Sequence, residues 1–234
     1  MIMSKRSRDL DVPYFDKDLR WFRMRRRLFL QWAGFGLAGV SAMVAGCKKD
    51  ELKEGIYLGS GDVGVLNYSY LLEQLEAAFY IRVTQTFYAG ASDAEILLLN
   101  DIRDHEIAHR EFFKKALGDV AIPVLDFDFS TIDFTSRDTV LEAAKRFEDL
   151  GVSAYNGAAI LFSDEKYLAL TAKIVSVEAR HAALIRDLIS DGSFAGDDLM
   201  DANGLEKALL PAEVLETMGA YITTIINAED LPTA

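Results

Sequence analysis

The feature that most constrains the fold of this chain is a repeated pattern in which one glutamate lies within a row of apolar residues. Taken every seventh residue, two stretches give one order of residue types: leucine, glutamate, tyrosine and phenylalanine. Sevenfold spacing keeps residues on one face of a helix, so each stretch predicts a helix whose inward face carries one carboxylate. The two rows are Leu66, Glu73, Tyr80 and Phe87, and Leu141, Glu148, Tyr155 and Phe162.

Two of the three histidines follow a glutamate by three residues. The pairs are Glu106 with His109 and Glu178 with His181, and both fall in stretches with helical periodicity. At this spacing the two side chains of a pair lie on one helical face and can reach the same metal ion. The chain therefore has the pattern of two similar helical hairpins, each with a row glutamate followed by a Glu-x-x-His pair.

Four glutamates on inward faces indicate a metal centre. An ionised carboxylate is costly to bury unless a cation compensates it. Several facing carboxylates would also repel one another, and a pair of divalent or trivalent ions would relieve that repulsion. Sites rich in carboxylates and poor in imidazoles suit iron or manganese better than metals that prefer sulfur. We therefore expect two Fe or Mn ions near a pseudo-twofold axis between the halves.

The connections between the helical patterns predict their arrangement. The first and third connections are short, which makes helices 1 and 2, and helices 3 and 4, antiparallel neighbours. A capping box at Ser92 and Glu95 opens the second helix. The long connection over 119–136 has no helical period, and its phenylalanines are expected on the flank of the bundle. The expected helices cover about 64–88, 92–117, 137–161 and 164–190.

Further features divide the chain into regions. Pro211 is at an expected helix start, and an apolar stripe from Val214 to Ile225 predicts a fifth helix. The expected regions are a signal peptide over 1–46, a tether over 47–61, a four-helix bundle over 62–190 and a C-terminal extension with a short helix over 191–234.

The amino terminus resembles a twin-arginine export signal of the lipoprotein type. Arg26 and Arg27 form the arginine pair, and a short apolar stretch follows that is too short to span a bilayer comfortably. It ends in Val-Ala-Gly-Cys, which resembles a bacterial lipobox with Cys47 as the lipidated residue. The resemblance implies an exported protein, anchored to the membrane by acyl chains in the cell envelope, facing the periplasm or at the outer membrane.

The segments 72–80, 147–157 and 177–183 resemble the ferritin-like superfamily, in particular the exported, desiccation-related ferritin-like proteins. The resemblance covers about 62–190. It implies an all-α, ferritin-like four-helix bundle with a long crossover between helices 2 and 3, to which the fifth C-terminal helix would add. It also implies metal-ligand roles: Glu73 and Glu148 as terminal ligands, Glu106 and Glu178 as bridging ligands, and His109 and His181 each on one ion.

The residue pattern leaves several assignments open. Glu76 competes with Glu73 as the ligand of helix 1, but its row is more polar, which favours a solvated position or a place beside the ligands. Tyr80 and Tyr155 either hydrogen-bond ligands, relay electrons or pack in the core. His105 points about 100° away from Glu106 and is expected on the surface. Asp149 and Glu111 follow no pattern, so a solvated face accounts for them.

The composition limits the function. The formal charge of −12 argues against nucleic acid as a partner. Three functions remain open: redox handling of oxygen, peroxide or ferrous iron, with an oxidase-, peroxidase- or catalase-like activity; a stress or desiccation protein whose metals only stabilise the bundle; and iron storage. The expected partners are a membrane, through the lipid anchor, and a small oxidant or metal ion, and a homo-oligomer stays open.

Overall fold

The computed structural model describes residues 54–233. This range forms four long helices, a short fifth helix and one two-stranded parallel pair. The elements are β1 (Ile56–Tyr57), α1 (Gly61–Gln85), α2 (Asp93–Leu117), α3 (Arg137–Ala158), α4 (Glu165–Ile189), α5 (Pro211–Met218) and β2 (Ile226–Asn227), with single 3-10 turns over Gly118–Val120 and Ala159–Leu161. The expected all-α bundle with a long crossover and a fifth helix is confirmed.

Local signals in the sequence set the starts of the helices. The capping box of α2 forms as expected: Glu95 N–H donates to Ser92 Oγ, and Ser92 N–H donates to Glu95 Oε2. Ser136 and Asp164 cap α3 and α4 by accepting backbone N–H groups. Pro211 opens α5, where the missing N–H costs nothing.

The helices pack as two hairpins, α1 with α2 and α3 with α4. Helix α1 is buried on nearly all sides, from Gly64 to Ala77 without interruption. Two polar residues on it hold the crossover: Asn67 Oδ1 accepts from Ile122 N–H, and Gln74 Oε1 accepts from Leu125 N–H, both at 2.9 Å. The crossover is thereby fixed along the bundle, with its backbone groups satisfied by α1.

The phenylalanines of the crossover pack on the flank of the bundle as expected. Phe129 lies 5.9 Å from Phe79 on α1 and 6.2 Å from Phe147 on α3, measured between ring centroids. Tyr221 completes this aromatic group at 4.8 Å from Phe147. The apolar stripe expected to form one helix to Ile225 is helical only to Met218. The later part of the stripe, which includes Tyr221, packs against the crossover.

The C-terminal extension is bound to the bundle by ionic contacts. Arg186 on α4 is buried and donates two hydrogen bonds to Asp149 on α3 and two to Asp198 in the extension, at 2.7 to 3.1 Å. The expectation of a solvated Asp149 is therefore wrong. Bidentate arginine–carboxylate pairs are geometrically specific, so this group fixes the extension against both helices.

The extension also crosses α3 at Gly157. Leu209 N–H donates to Ser153 O at 2.9 Å, and a Cβ at position 157 would lie 1.9 Å from Leu209 O. Replacing an exposed glycine within a helix by alanine normally raises the free energy of unfolding by up to about 1 kcal/mol. Here we expect the opposite sign: Gly157→Ala should lower the free energy of unfolding by about 1–3 kcal/mol through overpacking, measured by urea denaturation.

The matched control for Gly157 is its neighbour. Asn156→Ala removes one exposed 3.2 Å hydrogen bond to Lys207 O, and its effect should stay within about 0.5 kcal/mol. A Gly157→Ala variant as stable as the parent would contradict the close crossing of Leu209 over α3.

Arg26, Arg27 and Cys47 lie outside the described residues, so the export and lipidation motifs stay predictions. Within residues 54–233, none of the helices combines the length and the apolar character that a membrane span needs.

Candidate metal centre

Each long helix places one glutamate at the centre of the bundle. Glu73, Glu106, Glu148 and Glu178 are all fully buried, with 0 % of their surface exposed. The two histidines lie at the same level, with side chains 14 % exposed for His109 and 5 % exposed for His181. The six residues expected as metal ligands are therefore brought together by helices α1 to α4.

These six side chains form two groups that share members. Within each group the potential ligand atoms all lie within 4.8 Å of one another. The two groups have Glu106 and Glu178 in common. The His109 cluster consists of Glu73, Glu106, His109 and Glu178, and the His181 cluster consists of Glu106, Glu148, Glu178 and His181.

The imidazoles reach across from one hairpin to the other. His109 Nδ1 lies 2.8 Å from Glu178 Oε1 and 3.4 Å from Glu73 Oε2. His181 Nδ1 lies 2.8 Å from Glu106 Oε1 and 3.6 Å from Glu148 Oε2. The two halves thus repeat one geometry, and each imidazole faces the Glu-x-x-His glutamate of the opposite hairpin.

The tyrosines of the two sevenfold rows contact the row glutamates of the opposite hairpin. Tyr80 Oη donates to Glu148 Oε1 at 2.5 Å, and Tyr155 Oη donates to Glu73 Oε1. Of the roles left open by the sequence, the structure thus gives both tyrosines a hydrogen bond to a candidate ligand. Each bond occupies one carboxylate oxygen and leaves the other directed into the centre.

Removing these bonds should weaken metal binding without emptying the site. We expect Tyr80→Phe and Tyr155→Phe each to lower the affinity for one ion by roughly 10-fold, the lower range for loss of a group that orients a ligand. Isothermal titration with Mn²⁺ measures the change. Tyr167→Phe, a tyrosine on α4 away from the centre, is the control, and equal affinities in all three variants would contradict an orienting role.

A sequence model of the ferritin-like domain family matches residues 61–191. The chain belongs to the ferritin-like domain family. The match covers helices α1 to α4 and the crossover between them, so the resemblance seen in the sequence is confirmed at the level of this family. No curated protein matches the chain.

The orphaned polar atoms of the ferritin-like domain fit a metal centre. Among residues 54–233, ten buried side-chain nitrogen or oxygen atoms have no hydrogen-bond partner, and most belong to the two clusters. His109 Nδ1 and His181 Nδ1 are among them, although each lies 2.8 Å from a carboxylate oxygen. Polar atoms that lie close together without forming hydrogen bonds are arranged as the ligand atoms of a shared cation would be. These clusters can therefore hold metal ions.

Burial and mutual repulsion shift the pKa values of the carboxyl groups in the centre. Burial and then the charge of Glu178 raise the pKa of Glu106 to about 8, and burial raises that of Glu148 to about 7. Burial opposes ionisation of Glu178 too, but the contacts with His109 and His181 outweigh it and lower its pKa to about 2. Without a cation, the centre must therefore retain protons.

The pKa values of the two imidazoles shift in the direction opposite to the shift that burial alone would cause. Burial alone would lower the pKa of His181, but its contacts with Glu106, Glu148 and Glu178 raise it to about 12. The pKa of His109 is raised for the same reason, by Glu106, Glu178 and Glu73. Both rings act as cations within the centre when no metal ion is present.

Glu76 is a fifth carboxylate at this level of the bundle. It is 2 % exposed, so the solvated position considered for it is wrong. A Cβ at position 151 would lie 2.6 Å from Glu76 Oε1, so Gly151 on α3 leaves the room for this carboxyl group. Burial, and then the charges of Glu178 and Glu106, raise the pKa of Glu76 well above its usual range. It is not part of either cluster but lies beside them.

His105 contacts the centre in a way that the sequence reasoning missed. It is exposed as expected, but its Nδ1 lies 2.9 Å from His181 Nε2. Its spacing of four residues from His109, which returns to nearly the same helical face, was the available signal. A cleft of about 580 Å³ between α2 and α4 is lined by all three histidines, so it lies against the histidine side of the centre.

Proposed function

We propose that this protein is an exported, lipid-anchored ferritin-like protein that holds two Fe or Mn ions and handles oxygen, peroxide or ferrous iron. One observation carries the metal part of the proposal: five buried side chains and the nearly buried His109 form two clusters that share Glu106 and Glu178 and contain polar atoms without hydrogen-bond partners. One ion in each cluster, bridged by the two shared glutamates, would satisfy these atoms.

The donor set supports iron or manganese. Four carboxylates and two imidazoles are hard and intermediate ligands, and the described residues of the centre include no thiolate. Bound ions would supply electrons and positive charge to a small oxidant. The chain's own contribution is to orient Glu73 and Glu148 through tyrosine hydrogen bonds and to bury the four glutamates away from bulk water.

Metal analysis of the full chain tests this proposal. After loading with Fe²⁺ or Mn²⁺ and desalting, we expect about two ions per chain by plasma mass spectrometry. Consumption of peroxide or oxygen by the loaded protein, followed with an electrode, tests the redox role. Fewer than about one ion per chain would overturn the di-metal centre, and two ions without consumption would overturn the redox role alone.

A stabilising role of the metals is the second candidate. It is favoured by the observation that each cluster takes ligands from both hairpins, so that each ion would join them. This function predicts a large fall in melting temperature on chelation together with no turnover of peroxide or oxygen. Far more than two ions per chain would instead indicate storage.

The export part of the proposal depends on Arg26, Arg27 and Cys47. Cys47→Ser should abolish labelling by radioactive palmitate while the protein is still exported, and Arg26→Lys with Arg27→Lys should retain the protein in the cytoplasm. Cell fractionation and blotting measure both. Arg20→Lys, upstream of the motif, is the control, and unchanged fractionation of the double variant would contradict twin-arginine export.

A further inference from the structure

His105 is the one histidine of this chain that lies outside both clusters. Its ring nevertheless contacts a cluster residue directly: His105 Nδ1 lies 2.9 Å from His181 Nε2. The two rings are nearly parallel, with 14° between their planes and 5.2 Å between their centroids. Two imidazole nitrogens at this distance must share one proton, so one ring donates and the other accepts.

The position of His181 decides which ring donates. His181 Nδ1 faces the centre, 2.8 Å from Glu106 Oε1, and is the atom available to a metal ion. A ring that binds metal through Nδ1 carries its proton on Nε2. With a metal ion on Nδ1, His181 Nε2–H would therefore donate to His105 Nδ1, and His105 would be the acceptor, with its own proton on Nε2.

The other half of the bundle has no such acceptor. His105 precedes Glu106 by one residue, and the residue that precedes Glu178 is Val177. Val177 lines the same cleft but has no side-chain group that can accept a hydrogen bond. Within residues 54–233, no hydrogen bond joins His109 Nε2 to another residue. The repeated geometry of the centre is therefore broken at this pair of positions.

We propose that His105 is a positioning residue that fixes the ring of His181 and makes the two metal positions unequal, the His181 cluster binding more tightly. This inference rests on the proposed di-metal centre. Partners of the second ring nitrogen of a metal-binding histidine set its orientation and its basicity, and their loss typically costs 10–100-fold in metal affinity. The acceptor in this protein would be a neutral imidazole that lines an open cleft and is exposed to solvent.

Metal titration of the full chain tests this proposal. The parent should bind Mn²⁺ in two steps of different affinity by isothermal titration calorimetry. His105→Ala should lower the affinity of the tighter step by 10–100-fold and leave the weaker step unchanged. His105→Gln, whose amide oxygen can accept the same hydrogen bond, should recover most of the loss. Val177→Ala, at the matched position, should change neither step.

A double-variant cycle separates orientation of His181 from a general effect on the cleft. His105→Ala should cost its full 10–100-fold in a His109→Ala background and nothing further in a His181→Ala background. In Zn²⁺-loaded protein, the exchange-protected Nε2–H signal of His181 in a ¹H–¹⁵N spectrum should broaden or vanish in His105→Ala and persist in Val177→Ala.

The outcomes distinguish this inference from the proposed function. A parent chain that binds no metal would overturn the di-metal centre itself. A parent that binds two ions, with His105→Ala unchanged in both steps or weakened equally in both, would overturn the role of His105 alone. Circular dichroism of the metal-free variants confirms that each is folded, which is expected because His105 is exposed.

Discussion

The Glu106→Gln variant is expected to lose both metal ions, because Glu106 is common to the two clusters. Glutamine keeps the size of the side chain but removes the charge and one oxygen that can bind a cation. The affinity for each ion should fall by more than about 100-fold, beyond the cost of losing a partner that only orients a ligand. Metal content after desalting and titration with Mn²⁺ measure the loss.

The same variant should lower stability in the metal-loaded form only. A ligand at 1,000 times its Kd stabilises the folded state by about 4 kcal/mol, which in a chain of this size is on the order of 10 °C in Tm per ion. The loaded parent should therefore melt well above Glu106→Gln. In metal-free protein at pH 7, Glu106 holds a proton and is already uncharged, so glutamine replaces a neutral side chain of the same size and the variant should melt close to the parent.

Glu111→Gln is the matched control for Glu106→Gln. It makes the same change on the same helix, at a side chain 52 % exposed and paired with Arg110. Metal content and melting temperature should both stay at parental values. Retention of one tightly bound ion in Glu106→Gln would contradict the role of Glu106 in both clusters.

Metal binding should release about two to four protons per chain at pH 6 to 8, with the larger number at the lower pH. The two imidazoles keep their protons there, since the pKa of His181 is raised to about 12 and that of His109 is raised as well. Glu106 keeps its proton below about pH 8, and Glu148 keeps its proton below about pH 7. Each of these protons must leave before the atom can bind a cation. The logarithm of the overall affinity should therefore rise by about two to four per pH unit in this window.

Calorimetric titration in buffers of different ionisation enthalpy counts the released protons. Glu106→Gln should release about one proton fewer for any ion that it still binds at high concentration. Release of less than one proton per chain by the parent at pH 7 would show that the imidazoles are already neutral, and it would contradict the charge state derived for the centre.

The metal-free protein should lose stability as the pH rises. The pKa values of His109 and His181 are raised above 6.5 in the folded protein. The contribution of these two side chains to the free energy of unfolding is therefore complete below about pH 6.5 and is lost as the pH rises towards the raised pKa values. Glu106 holds its proton to about pH 8 in the folded state but only to about 4.5 when unfolded, which acts in the same direction. Glu178 contributes oppositely, above pH 4.5, and loses its contribution only as the pH falls towards 2.

The fold and the set of residues in the centre could be predicted because both depend on periodicity. Glu73 and Glu148 fall in rows with leucine and aromatic residues, and such rows must face a core. The Glu-x-x-His spacing places its two side chains on one face whatever the rest of the chain does. The long connection between α2 and α3 excludes a simple up-and-down bundle.

Features that depend on what covers a helix could not be predicted in the same way. The polar residues in the row of Glu76 favour a solvated position, but α1 is enclosed on nearly all sides, so Glu76 is buried too. Asn67 and Gln74 appear as ordinary polar residues until the crossover backbone lies against them. Arg186 pairs with aspartates on α3 and in the extension, and no local spacing encodes such contacts.

The sharing of ligands between the two hairpins has a consequence for how this chain holds its shape. The sequence has a single cysteine, so no disulfide can join one part of the chain to another. Glu106 on α2 and Glu178 on α4 would be joined through both ions, which closes a long loop of chain as a covalent cross-link would. In the proposed protein of the cell envelope, metal ions would thus act as removable cross-links, and a chelator would break these cross-links as a reductant breaks disulfides.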